Sequence, residues 1–323
     1  MEKKSNLKKW IAAFFISVAC LAACEKNHVE LPSDPVINEK DSLALLKIAE
    51  YLNGPFWYMP WDTLKPIQEW SHIELQERNG EYRVTTLLLN QHGMRGYLPD
   101  AIGDLTELEI LSIDAGGIYG GFPPTFSNLG KLLFLGVTNT SMTGPLVLKG
   151  LTSLVSLEVR DDDYLTGGIP QEIVECTRLR KVFITETHVG GELPKGMDQM
   201  VSLEYLELKH SDLTGKIPPE LGKLPKLDFL SLTGNQFTGE IPPELGYSPA
   251  RDILMANNQL TGQLPETFEN IKGTLAIAYN NLTGYLPEFI LERYDVWDLA
   301  RRVCPQNEGY GFENCDYKLD DNF

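Results

Sequence analysis

Residues 203–246 read LEYLELKHSDLTGKIPPELGKLPKLDFLSLTGNQFTGEIPPELG, which is one unit written twice. Leu203 and Leu227 are 24 residues apart, and so are Gly215 and Gly239, Ile217 and Ile241, and Pro218 and Pro242. A fixed period of this length is the signature of a solenoid, in which each unit buries its apolar face only by stacking on the next. Followed through the chain, the proline of the G-x-[hydrophobic]-P step falls at Pro99, Pro123, Pro170, Pro194, Pro218, Pro242, Pro265 and Pro287, with Val147 in its place once. The steps are 24, 24, 23, 24, 24, 24, 23 and 22 residues, so the period predicts nine units over residues 83–291.

Each unit divides into parts with separate physical roles. The alternating apolar residues of L-x-x-L-x-L make a short strand with one buried face, which puts Leu230 and Leu232 inside. Successive strands are expected to pair in a parallel sheet. An Asn then turns the chain, and its amide can bond backbone groups of adjacent coils; Asn235, Asn258 and Asn280 hold this position. Earlier units place His92, Gly116, Thr140, Thr187 and Ser211 there, where hydroxyls substitute only in part. Gly permits a positive φ, and Pro ends strand pairing and begins the return segment. The fourth unit carries an extra residue in Asp161-Asp162-Asp163-Tyr164, read as a solvated acidic turn rather than a Ca²⁺ site, because Ca²⁺ takes six to eight oxygens in a defined loop.

LTGKIPPELG and FTGEIPPELG resemble the plant-specific class of leucine-rich repeats found in receptor ectodomains and polygalacturonase inhibitors. With the segment before the repeats, the resemblance covers about 250 residues. It implies a leucine-rich-repeat solenoid: a curved right-handed superhelix with a parallel sheet on its concave face, irregular or short-helical segments on its convex side, and often a second, shorter sheet. Residues 41–82 resemble the cap that precedes such repeats, without the Cys pair usual there. Leu43, Leu45, Leu46, Ile48 and Ala49 sit near helical spacing behind Asp41 and Ser42, which can cap a helix. Phe56, Trp57, Tyr58, Trp61 and Trp70 then read either as a sugar-stacking platform or as a plug over the first coil; every solenoid needs the plug.

Lys3, Lys4, Lys8 and Lys9 precede an apolar run over residues 10–23, too short to span a bilayer but suited to a secretion signal. Leu21-Ala22-Ala23-Cys24 resembles the lipobox of bacterial lipoproteins, which implies cleavage before Cys24 and lipidation of its sulfur. Residues 1–23 are thus read as signal, 24–40 as a polar tether, and 292–323 as a C-terminal cap with an acidic tail. Removing the signal, with four Lys and one Glu, takes the net charge from −17 to −20. Such an acidic balance argues against a nucleic-acid partner. The reading places the chain outside the cytoplasm, lipid-anchored at the outer membrane, as a monomer that touches the membrane only through Cys24. Of five Cys, Cys20 leaves with the signal, Cys24 takes lipid and Cys176 falls on an inward position; Cys304 and Cys315 are paired as a disulfide in an oxidising setting.

The sequence offers no phosphate-binding loop, no HExxH and no CxxC, and neither a cofactor nor a metal is expected. His92, His188 and His210 lie in loops of different coils with no nucleophile arranged beside them. The register instead directs Phe134, Phe183, Tyr205 and Phe229 to the solvent side of the sheet, with Glu158, Arg160, Lys181, Glu207, Lys209 and Ser231 around them. Clustered rings with a charged rim suit a protein or peptide ligand and no catalysis. The alternatives are a glycan-active enzyme using Glu158 and Glu207, two coils and roughly 9–10 Å apart at ~4.8 Å per coil, or an inhibitor of a secreted hydrolase.

Overall fold

The computed structural model describes residues 36–56, 61–62, 65–90, 93–295 and 298–315. The signal and tether up to residue 35, Cys24, Trp57, Tyr58, His92, Val296, Trp297 and residues 316–323 lie outside the described residues. The chain divides into two units, 1–36 and 37–323, and the repeats belong to the second.

The main feature of that unit is a ten-stranded sheet. The strands, in the order in which they pair, are β1 (Ile73–Arg78), β2 (Glu81–Leu89), β3 (Ile110–Asp114), β4 (Phe134–Thr138) and β5 (Ser156–Asp162). They continue as β6 (Lys181–Thr187), β7 (Tyr205–Lys209), β8 (Phe229–Ser231), β9 (Asp252–Leu254) and β10 (Leu275–Ala276). The first pair is antiparallel and every later pair is parallel. Registry between coils is strict: Leu157 pairs with Val182, Val182 with Leu206, Leu206 with Leu230, and Leu230 with Ile253. All five side chains are buried, so the alternate residues of each strand form one continuous aliphatic column. This is a leucine-rich-repeat solenoid.

At the ends of β4 to β10 the chain passes through the left-handed region. Asn139, Asp161, Glu186, His210, Gly234, Asn257 and Tyr279 all have φ between 47° and 73° and stand one residue before the ladder position. Gly adopts this conformation freely and Asn, Asp and His comparatively often; Glu and Tyr do so at a greater cost.

The ladder residue then satisfies backbone groups of two coils. Asn235 accepts from the amides of Ser211 and Leu213, both at 3.1 Å, and donates to the carbonyls of Leu208 (2.7 Å) and Leu232 (3.1 Å). Asn258 and Asn280 repeat the arrangement. Two further members are not the residues the motif predicts. Asp162, expected in a solvated turn, is fully buried, accepts from the amides of Tyr164 and Leu165, and takes a hydrogen bond from Thr140. Gln306, beyond the last repeat, accepts from Leu282 N and donates to the carbonyls of Ile277 and Val303.

Short strands beside the main sheet pair in three small groups, such as Thr238–Glu240 with Gln259–Gly262 and Asn281–Gly284. Seven of the return segments open on a Pro whose carbonyl accepts from the amide three residues on, as in Pro218 to Leu221 (3.2 Å) and Pro242 to Leu245 (3.1 Å); in the units of Val147 and Pro194 the bond shifts to the Leu148 and Gly196 carbonyls. No donor is lost, because the Pro nitrogen sits where none is needed. The glycine after that leucine acts by size: a Cβ on Gly222 would lie 2.2 Å from the Glu244 carbonyl oxygen of the next coil. Replacing it would force the coils apart.

At the front, helix α1 (Glu39–Tyr51) is capped by Asn38, whose side chain accepts from the amides of Lys40 and Asp41. Asp41, expected as a cap, is instead buried against Arg83, with Nε–Oδ2 at 3.0 Å and Nη2–Oδ1 at 2.9 Å, and accepts from Val84 N at 2.8 Å. Trp61 and Trp70 stack at 5.1 Å and are buried, whereas Phe56, expected in the same plug, is 73% exposed. At the far end Tyr294 accepts from Leu275 N and donates to Gly273 O, and Cys304 and Cys315 form a disulfide.

The column and the ladder should both be sensitive. Leu230→Ala is expected to lower stability by ~2–5 kcal/mol in urea or thermal melts. Asn235→Ala orphans several buried backbone groups, and a loss of at least ~2 kcal/mol is expected in the same measurement.

Candidate functional site

The residues on the solvent side of the sheet stand in rows set by strand registry. One row runs Phe134, Ser156, Lys181, Tyr205, Phe229, and the next runs Gly136, Glu158, Phe183, Glu207, Ser231. The strands are close enough for neighbouring side chains to lie on one another. Tyr205 and Phe229 stack at 6.3 Å with 29° between their planes, and Lys181 Nζ sits 5.8 Å from the Tyr205 ring. The Arg160 guanidinium lies 4.7 Å over Phe183. Cation–π contacts of this kind fix both partners at the surface.

The four rings therefore do not form the open cluster that the spacing predicts. Phe183 is only 7% exposed, because Arg160 lies over it and the flanking strands place Glu158 and Glu207 on either side. Ser231 is buried, with Oγ 3.5 Å from Thr233 Oγ1, and cannot meet a ligand as it stands. Phe134 is half-buried and turned along its own strand: a Cβ on Gly136 would lie 2.9 Å from its Cε1. Ser156 and Lys181 separate it from Tyr205 in the row. What faces solvent is a smaller platform of Tyr205, Phe229, Lys181 and Arg160.

Glu158 borders this platform. Its carboxylate lies 3.6 Å from Arg160 Nε, yet its pKa is raised, because burial disfavours the charge more than Arg160 and Lys181 favour it. Lys209 Nζ is 3.5 Å from Glu186, on the side where the strands end.

Beyond those ends the structure brings together residues that the sequence reading kept apart. His188 and His210 line one groove with Asp163, Glu186, Thr187 and Asp212. His188 Nδ1 is 2.5 Å from Asp212 Oδ2, and that hydrogen bond, then the Asp212 charge, raises the His188 pKa. The signal was present in the numbering: His188 and Asp212 are one 24-residue period apart. Among the described residues no three His, Cys, Asp or Glu side chains could hold a metal ion, and no helix is long and apolar enough to cross a membrane.

Comparison with known proteins agrees with this architecture. The family model "Leucine Rich Repeat" matches residues 202–224 and 226–248. Polygalacturonase inhibitor 1 of Arabidopsis thaliana is 31% identical over 104 residues, which is 32% of this chain and 32% of the inhibitor. The chain thus matches about a third of the length of the first curated relatives. A plant ice-binding protein superposes with a TM-score of 0.63 at 23% identity, covering 79% of this chain and 83% of that one. The Arabidopsis receptor kinase HAESA, in complex with the peptide hormone IDA and the co-receptor SERK1, superposes with a TM-score of 0.57 at 22% identity, covering 77% and 47%. These likenesses establish the fold.

The raised pKa of Glu158 has a stability consequence with a definite sign. A carboxyl that holds its proton more tightly when folded destabilises the fold once ionised, so the penalty is present above its folded pKa and absent in acid. Glu158→Gln should therefore melt at or above the wild-type temperature at neutral pH, with the two curves converging near pH 4 in differential scanning calorimetry.

Proposed function

We propose that the protein is a non-catalytic binding module that holds a peptide or protein segment on the solvent side of the ten-stranded sheet, at the cell envelope through lipid on Cys24. The platform of Tyr205 and Phe229, flanked by Lys181 and Arg160, carries the binding half of this reading. Stacked rings held in place by neighbouring cations offer apolar area with little rotamer entropy left to lose, a common character of interface anchors. The matched relatives are in keeping with it, since they include inhibitors named for polygalacturonase and a receptor kinase bound to a peptide hormone. The sequence Leu21-Ala22-Ala23-Cys24 supports the anchor.

Panning a displayed peptide library against the intact chain tests the platform. Selected peptides are expected to bind a Tyr205→Ala plus Phe229→Ala variant at least about tenfold more weakly, one stacked anchor being worth ~2 kcal/mol or more. Equal affinity for both proteins, with melting temperatures matched, would move the binding surface elsewhere.

A further inference from the structure

Helix α1 turns apolar side chains in two directions. Ala44, Leu45, Ile48 and Ala49 are buried beneath it, and Leu52 just past its end is buried too. On the opposite face Leu43 and Leu46, three residues apart and therefore neighbours, are 56% and 40% exposed. Phe56 is exposed in the short turn that follows. At the helix end Tyr51 meets the Tyr97 ring edge-on at 5.1 Å, and Tyr97 meets Tyr119 at 6.5 Å. All three are exposed, so one ring from the helix and one from each of the first two coils lie side by side. The helix end is fixed there, because Arg95 N donates to Leu52 O at 3.2 Å and Gly96 leaves no room for a side chain against the Tyr51 carbonyl. Single exposed apolar residues are ordinary; six large ones on one helix, its following turn and the coils beside it are not.

The charges on this face cancel. Its exposed ionic residues are Glu39, Lys40, Lys47 and Glu50, and Lys47 Nζ lies 2.8 Å from Glu50. A chain of formal charge −17 repels a second copy of itself, whereas a zwitterionic lipid surface sets no such barrier. Position along the chain points the same way. Cys24 precedes Glu39 by 15 residues, which reach at most about 50 Å in any conformation. Helix α1 is the first element of the unit that carries the repeats. Lipid on Cys24 would therefore hold this face, ahead of any coil, at high local concentration over a bilayer, where weak intrinsic affinity is enough.

We propose that the N-terminal cap docks on the membrane surface, α1 lying in the interface with Leu43, Leu46 and Phe56 toward the acyl chains and Tyr51, Tyr97 and Tyr119 at headgroup level. Docking rests on the lipid anchor proposed for Cys24, and it adds that the anchored solenoid is held in one orientation and does not swing on its tether. Leu and Phe gain by leaving water, and Tyr suits a boundary that is apolar on one side and wet on the other.

The test uses the full chain, acylated in a bacterial host that processes lipoproteins and reconstituted into phosphatidylcholine vesicles. A nitroxide attached through Leu43→Cys reports its own depth by electron paramagnetic resonance. Cys176 is buried and Cys304 and Cys315 are bonded to each other, so with Cys24 acylated the added thiol takes the label alone. The label is expected about 5–10 Å deep at the headgroup–acyl boundary, open to oxygen and shielded from a water-soluble nickel complex. High salt should not change this, because no net charge holds the face down. The same label at Val201→Cys, exposed in the fifth coil, should stay in water. Leu46→Glu plus Phe56→Glu alters exposed positions only, so it should leave the melting temperature unchanged and return the Leu43 label to water. Mass spectrometry of the amino-terminal peptide separates the two readings. No acyl mass on Cys24 defeats the anchor and docking with it; acyl mass with a Leu43 label as wet as that at Val201 defeats docking alone. Dipolar broadening between Leu43 labels of neighbouring molecules would assign the face to a second copy and overturn the proposal equally.

Discussion

The constraint on which the structure depends is that the chain must turn, coil after coil, in a place that water does not reach. At every such turn the backbone exposes amides and carbonyls to an aliphatic column, and a buried polar group without a partner is costly. In the coils of Asn235, Asn258 and Asn280 one side chain resolves this. Asn235 meets four backbone groups at once because a carboxamide carries acceptor and donors on one short stem. Where the Asn is missing the work is done only in part: Thr140 pairs with Asp162 across coils, Ser211 bonds the Ile184 carbonyl by itself, and the Thr187 hydroxyl bonds to nothing.

From that constraint the rest of the geometry is built. From Thr140 onward a left-handed residue precedes each ladder position, and in several coils a glycine such as Gly222 stands where one return segment crosses the next. With both in place the coils repeat at strand spacing, and strand registry carries side chains from one coil to the next in rows. The platform of Tyr205 and Phe229 results from that repetition: neither ring would have a neighbour if the coils were offset by a single residue.

Much of this was legible in the chain. The 24-residue period and the alternation of Leu indicated the fold class and placed the column, because both are direct records of stacking. Less legible was anything depending on side chains that lie across coils. Phe183 stands on the solvent side of its strand, yet Arg160 closes over it, a contact that no single-strand pattern encodes. Asp162 reads as one of three equivalent acids, although only its position after Asp161 puts it in the ladder. Gln306 takes up the same duty outside the repeat, where there is no period left to locate it. His188 and Asp212 are distant in a linear reading and adjacent once the period is applied.

The two ends of the sheet have a consequence of their own. A stack of parallel strands is open at both extremities, and an unprotected extremity can accept a strand from another molecule. Here β1 pairs antiparallel with β2 and presents Glu74, Gln76, Glu77 and Arg78 in its outermost row. At the opposite extremity the backbone just after β10 is engaged from within the chain, Ile277 and Ala278 both donating to the Arg302 carbonyl. Each molecule thus carries its own terminators, charged side chains at one extremity and a self-made backbone pairing at the other, both of them devices that oppose edge-to-edge strand pairing.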